Sequence, residues 1–188
     1  VEEALGRGSV CNVGAGAGAT VGKLFGIEHA MKGGLGTASL QVGGHTVAAL
    51  VAVNALGDIR DPAGGTLLAG ARDASRHRLR DSLAAMRAGQ FPASLQAGQN
   101  TTIGVVATDA VLDKAQAQRL ASMAHDGLAR AIVPAHTQHD GDLLFALATS
   151  RVGGPVAPGL LSMLGAFAAE AVSLAVLRAV RAATGLPG

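Results

Sequence analysis

The stretch from Pro158 to Thr184 limits the architecture more than any other. It carries Leu160, Leu161, Leu164, Phe167, Val172 and Leu174 and is apolar nearly all the way round a helix. A helix without a polar face must be covered on more than one side, here by a sheet and by another subunit. The segment is also long enough to span a bilayer. Glu170, Arg178 and Arg181 interrupt it, however, and Pro155 and Pro158 precede it, so a packed core helix is expected and no membrane contact. What covers it must be small-grained: Trp and Tyr are absent, Phe occurs four times and Gly 27 times in 188 residues. The core is therefore built from Ala, Val and Leu with backbones packed closely, in a chain whose length suits one domain.

Ahead of that helix, two strands are predicted over Thr37–Val42 and Thr46–Asn54, joined by the hairpin signal Gly43-Gly44. The second is nearly continuously apolar and reads as covered on both faces. Lys32-Gly33-Gly34-Leu35-Gly36 reads as a turn. From Asp58 to Gly98 the composition becomes polar, with the turn Asp61-Pro62-Ala63-Gly64-Gly65 and an amphipathic helix over Ser75–Ala88 that buries Leu79, Leu83 and Met86. Residues from about 60 to 100 are expected to form a flexible linker. A strand follows from Ile103. Then comes a helix capped by Asp113 with Gln116 at its third position, a buried stripe of Leu120, Met123, Ala124, Leu128 and Ala131, and a stop before Pro134. His125, Asp126 and Arg130 fall off that stripe and read as a solvated or interface edge. A loop rich in titratable groups, His136-Thr137-Gln138-His139-Asp140-Gly141-Asp142, leads into an apolar strand over Leu143–Thr149.

Several function classes drop out. Lys plus Arg number 15 against 13 Asp plus Glu. Arg60, Arg72, Arg76, Arg78, Arg80 and Arg87 alternate with Asp61, Asp73 and Asp81 without aromatic residues between them, which reads as a solvated face and not a nucleic-acid footprint. The glycine-rich run from Ser9 to Lys23 has Ala17 and Leu24 where a phosphate loop needs Gly and Ser or Thr. A dinucleotide fingerprint forced onto Gly14, Gly16 and Ala19 lacks the following acid, so no nucleotide cofactor is expected. His136 and His139 hint at a metal, but no third ligand stands at recognisable spacing. Cys11 is the sole cysteine, which rules out an internal disulfide and fits a reducing, cytoplasmic setting. The opening Val1-Glu2-Glu3 does not read as a signal peptide, and the absence of an initial Met suggests a fragment or a processed piece.

The chemistry converges on Gln99-Asn100-Thr101-Thr102-Ile103. A threonine at a strand start, preceded by the polar, Gly- and Pro-punctuated approach from Phe91 to Gln99, reads as a cleavable position with exposed backbone before it. The Thr101 hydroxyl can attack the Asn100 carbonyl, shift the acyl group to oxygen and release a chain that begins with Thr101. Its freed amine, with an unperturbed pKa of roughly 7.7 to 8, is a usable base at neutral pH, unlike a lysine near about 10.4. Hydroxyl and base then reside on one residue. Other readings stay open: a strand-start threonine with no chemistry, an N-glycosylation pattern at Asn100-Thr101-Thr102, or Cys11 as nucleophile with a histidine partner. Asn54 reads as a turn residue that ends its strand, or as an amide aimed into a site.

Taken together, Gly14-Ala-Gly-Ala-Gly-Ala-Thr20, Lys32-Gly-Gly-Leu-Gly-Thr-Ala-Ser39, Asn100-Thr-Thr-Ile-Gly-Val-Val-Ala-Thr-Asp109, Ala124-His-Asp-Gly-Leu-Ala-Arg-Ala-Ile132 and His136-Thr-Gln-His-Asp-Gly-Asp142 resemble the DmpA/NylC-type N-terminal-nucleophile peptidases. That family includes L-aminopeptidase/D-esterases, β-peptidyl aminopeptidases and nylon-oligomer endohydrolases. The resemblance implies an α+β fold, an αββα-type sandwich, of which residues 1–188 form a single-domain part. It also implies self-cleavage at Asn100–Thr101 into an α-subunit portion, 1–100, and a β-subunit, 101–188. Processed α/β heterodimers would then assemble into a homo-oligomer that hydrolyses small peptides or linear amides without a cofactor.

By the same resemblance Thr101 is the nucleophile, Lys23 helps orient or activate it, Asn54 binds the oxyanion or positions the hydroxyl, and Asp140 and Asp142 contact the nucleophile's amine and relay protons. Lys32 is the rival to Lys23. These roles suit the residue types: a carboxylate raises the pKa of a nearby amine while a lysine lowers it, and a neutral amide serves a developing oxyanion without adding charge. Family members carry a long segment before the glycine-rich turn, including sheet strands and an aromatic hydroxyl. Its absence here predicts an exposed sheet edge and an incomplete pocket. A relative that keeps the fold but stays unprocessed, as a structural or regulatory subunit, is the alternative.

Overall fold

A computed structural model describes residues 12–91 and 100–185. Cys11, read above as a rival nucleophile, and residues 92–99 of the approach to Thr101 lie outside the described residues. The elements in chain order are β1 (Thr20–Val21), β2 (Met31–Lys32), β3 (Gly34–Val42), β4 (His45–Val53), β5 (Asp58–Arg60), β6 (Leu67–Ala69), α1 (Ser82–Arg87), β7 (Ile103–Val111), α2 (Lys114–Ala131), β8 (Ile132–Val133), β9 (Leu143–Pro155) and α3 (Pro158–Ala182). The fold is α+β. Strands β3, β4, β7 and β9 form the main sheet in that order, with β1–β2 and β6–β5–β8 as two small sheets.

The β3–β4 hairpin closes on Gly43 and Gly44 at φ 56° and 82°, the paired positive values that a two-residue turn between twisted strands requires. Its register, Val42↔His45 through Gly34↔Val53, is unbroken. Strand β4 also pairs antiparallel with β7, whereas β7 and β9 are parallel from Ile103↔Leu143 onward. Parallel neighbours need a long crossover, and α2 supplies it. Its start is the capping box expected from the sequence: Asp113 accepts from the Gln116 amide while the Gln116 side chain accepts from the Asp113 amide.

Helices α2 and α3 lie on one face of the main sheet. Val47, Val51, Val53, Val106 and Leu144 point into that layer against Leu120, Leu128, Leu164 and Val172. Helix α3 is long and apolar enough to cross a membrane by length and composition. In the fold it is the central core helix, with Ala168, Ala171, Val172, Ala175 and Ala179 fully buried. It settles so close to β3 that a Cβ on Gly36 would stand 2.0 Å from the Ala175 carbonyl oxygen. Dispersion attraction falls off steeply with distance, so this approach partly makes up for the lack of large aromatic side chains.

Three expectations need correction. Strand β4 is not covered on both faces: its residues alternate, and Leu50 is 43% exposed on the opposite face beside exposed Ile103 and Phe145. Among the described residues no layer covers that face. The run from Lys32 to Gly36 is strand except at Gly33, not turn: Lys32 ends β2, and β3 starts at Gly34 in full register with β4. The helix predicted over Ser75–Ala88 is only Ser82–Arg87, because Asp81 caps it by accepting from the Ala84 amide and the chain before it turns through Arg76 at φ 61°.

The supposed linker is also folded over its described part. Ile59 pairs with Ala69 on one side and Ile132 on the other. Beside it, Asp58 is fully buried and accepts from the Ala71 amide (3.0 Å), the Ser82 amide (2.7 Å) and the Ser82 hydroxyl (2.9 Å). A buried carboxylate is tolerable only with such partners, and the donors in turn depend on it. Asp58→Ala is expected to lower unfolding free energy by about 3 kcal/mol, since it strands buried donors. Urea unfolding should show a lower midpoint with an unchanged slope.

Candidate active site

The site forms where four segments meet, around Lys23, Asn54, Thr101 and the 136–142 loop. Asn54 directly follows β4. Its main-chain carbonyl accepts the Thr101 amide at 2.8 Å, and its Oδ1 accepts the Thr20 amide at 3.2 Å and the Lys23 ammonium at 2.8 Å. Lys23 is held by its own amide, which donates to the Leu56 carbonyl at 2.9 Å. It is buried, and desolvation lowers its pKa to about 8, against the opposing pull of Asp140.

The Asp140–Asp142 loop grips the other side of Thr101. Asn100 and Asp140 form a parallel bridge, and the Gly141 amide donates to the Asn100 carbonyl at 2.8 Å. The Thr102 amide donates to Asp142 Oδ1 at 2.8 Å, and the Leu143 amide to the Thr102 carbonyl at 3.0 Å. Asp140 is tied within its loop: Oδ2 accepts from the Thr137 amide (2.9 Å) and hydroxyl (2.7 Å), while Oδ1 faces the Leu56 amide at 3.4 Å. Burial, and secondarily the neighbouring Asp140 charge, push the Asp142 carboxyl above the usual range, while the Thr102 amide pulls the other way.

Thr101, Lys23, Asn54, Asp140 and Asp142 thus come together from four separate parts of the chain. Lys32 does not join them: its ammonium donates to the Ala17 carbonyl and lines a different cavity with Arg72. The backbone before Thr101 is also not exposed as expected, since Asn100 is only 3% accessible. Its carbonyl accepts the Gly141 amide, and its side-chain amide donates to the His139 carbonyl at 3.4 Å. Among the described residues no group of three or more His, Cys, Asp or Glu is placed to hold a metal ion.

Two further residues could not be found from sequence patterns. A Cβ on Gly141 would stand 2.7 Å from Thr101 Oγ1, so only glycine lets the loop press against that hydroxyl while presenting its amide. His136 adopts φ 54° and brings Nδ1 to 3.2 Å from Asp142 Oδ2. Beside Thr101 and Asn54 opens a cavity of about 430 Å³, walled by Leu35, Leu50, Ile103 and the backbone-rich segment at Ala15, Gly18 and Ala19. A polar end and an apolar wall suit a linear ligand with one reactive polar group.

Because Asp140 holds the Lys23 pKa up against burial, Asp140→Asn should shift the Lys23 titration to lower pH. Lysine side-chain ¹³C NMR should find Lys23 titrating near about 8 in the native protein and below that in the variant; an unchanged or higher value would contradict the coupling.

The model of peptidase family S58 matches residues 3–188. An uncharacterized aminopeptidase of Mycobacterium leprae is 46% identical over 194 residues, covering 96% of this chain and 51% of the relative. A 6-aminohexanoate-oligomer endohydrolase of Kocuria sp. is 36% identical over 160 residues, 79% of this chain and 44% of that protein. The chain therefore spans about half the length of the curated relatives it matches. Among solved structures, the L-aminopeptidase D-Ala-esterase/amidase of Ochrobactrum anthropi, described as a variant of the Ntn hydrolase fold, superposes with a TM-score of 0.65 at 24% identity, over 95% of this chain and 46% of that one. On the strength of a match along almost its whole length, the chain belongs to peptidase family S58.

Proposed function

We propose that the protein is a self-processing N-terminal-nucleophile amidohydrolase that cleaves small peptides or linear amides through an acyl-enzyme on Thr101. The observation that carries this reading is the placement of the Asn100–Thr101 bond. Its carbonyl oxygen accepts the Gly141 amide, and the Thr101 hydroxyl lies against the same glycine. In processing, Thr101 Oγ attacks the Asn100 carbonyl carbon, and the Gly141 amide stabilises the charge that develops on the oxygen. The C–N bond breaks as Oγ delivers its proton to the departing nitrogen. Water then hydrolyses the resulting ester, leaving a carboxylate on Asn100 and a free amine on Thr101.

In turnover the Thr101 amine takes the hydroxyl proton while Oγ attacks the substrate carbonyl, and passes that proton to the leaving amine. Water then releases the acyl group. Lys23, with its pKa lowered to about 8, opposes charging of the amine, whereas Asp140 and Asp142 favour it. The balance keeps the amine near neutrality at working pH. Asn54 is the neutral amide in this reading that serves the substrate oxyanion. The aminopeptidase and oligoamide endohydrolase names of the relatives support an amide substrate, and the apolar cavity wall supports a linear acyl chain along Leu35, Leu50 and Ile103. The assembly in this reading is a homo-oligomer of processed α/β pairs, supported by the exposed Leu143, Phe145 and Leu147 on the sheet's edge strand.

In the full-length protein, denaturing gels should show two fragments, and N-terminal sequencing should place Thr101 first on the second. Thr101→Ala should leave one uncut, inactive chain, and Thr101→Ser, which keeps a hydroxyl, should still process. Normal turnover by the uncut alanine variant would overturn the assignment. An intact, inert native chain would favour a non-catalytic subunit.

A further inference from the structure

Taking the Thr101 site as read above, we propose that His136 is a positioning residue that holds the Asp142 carboxylate against the strand carrying the nucleophile. Asp142 has a neighbour at each oxygen: Oδ1 accepts the Thr102 amide at 2.8 Å, and Oδ2 lies 3.2 Å from His136 Nδ1 in an ion-pair contact. The Asp142 side chain is 4% exposed and that of His136 40% exposed, so the histidine caps the buried carboxylate from the solvent side. Its backbone is in the left-handed region at φ 54°, which side chains other than Asn, Asp and His rarely occupy. This conformation turns the ring back onto its own loop. Helix α2 braces the ring from behind, with the His125 ring 5.4 Å away at 51°.

The charged neighbours show what the contact does. Asp142 sits beside Asp140 and is half the site's negative charge; Lys23 acts on Asp140 from the β1 side, and His125 and Asp126 face the cluster from α2. Burial and the like charge of Asp140 both favour protonating Asp142, while the Thr102 amide, His136 and His125 favour its anion. Two imidazoles so close do not both charge readily, and burial together with His136 holds the His125 pKa down. The ring in contact with Asp142 is that of His136, 3.2 Å from Oδ2. Without that ring Asp142 keeps a single amide donor, protonates at higher pH, and no longer presents an anion to the Thr101 amine.

The test uses the full-length protein with an amino-acid p-nitroanilide as substrate. His136→Gly relieves the left-handed backbone and removes the ring, so it should melt no lower than the native protein. It should lose roughly 100-fold in kcat, as a misplaced catalytic group does, with KM within about twofold and the acid limb of the pH profile moved to higher pH. His136→Leu should lose the same activity. His136→Asn tolerates the backbone and places an amide N–H near the Nδ1 position, so it should recover most of the kcat while its acid limb stays shifted. A separate reading comes from carboxyl ¹³C NMR, in which the Asp142 titration should move to higher pH in His136→Gly. Native kcat, pH profile and Asp142 titration in the glycine and leucine variants would overturn the role of His136. Activity in Thr101→Ala would instead retire the nucleophile, leaving the Asp142 titration to decide the His136 contact.

Discussion

The parallel pairing of β7 with β9 is the constraint on which the site depends. Its ladder continues past the strand ends, so that Gly141 reaches the Asn100 carbonyl, Asp142 the Thr102 amide and Leu143 the Thr102 carbonyl. A shift of one residue would exchange the faces of the sheet and move Asp142 away from Thr102. The register is held by burial: Gly104 pairs with Leu144 and Val106 lies beneath α2 and α3, while Ile103 and Leu143 take the other face. Core packing on one side of the sheet thus sets hydrogen-bond geometry at its end.

The same small-residue core that allows α3 to lie on β3 leaves the opposite face apolar and open among the described residues. Leu35, Leu50 and Ile103 there serve as the wall of the cavity beside Thr101. The relatives are about twice as long as this chain, and the one-sided burial of the sheet is consistent with half of a layered fold.

Electrostatically the site balances opposed terms. Burial lowers the pKa of Lys23 and raises that of Asp142, so each is driven toward its neutral form. Asp140 counteracts the first shift and reinforces the second. Asn54 joins the two sides without adding charge: its carbonyl takes the Thr101 amide and its side chain takes Lys23. That arrangement suits chemistry in which one proton changes hands several times around a single residue.

The sequence alone was enough to place the hairpin at Gly43-Gly44, the capping box at Asp113 and the central role of α3, because turns, caps and apolar periodicity are local properties. The likeness of its glycine-rich and Asp-Gly-Asp motifs also pointed to Thr101, Lys23, Asn54, Asp140 and Asp142 as a set. Polar composition suggested a linker over about 60–100, but it conceals that β6 and α1 lie within that stretch and that Ala71 and Ser82 there donate to Asp58, 13 and 24 positions earlier. Local signals also left Asn100 exposed and His136 without a role. Enclosure of Asn100 arises from a loop some forty residues later in the chain, and the position of His136 from a single left-handed dihedral braced by another helix. Composition and periodicity decide which faces are buried; only the folded register decides which polar atoms meet, because hydrogen bonds require partners within a few tenths of an ångström.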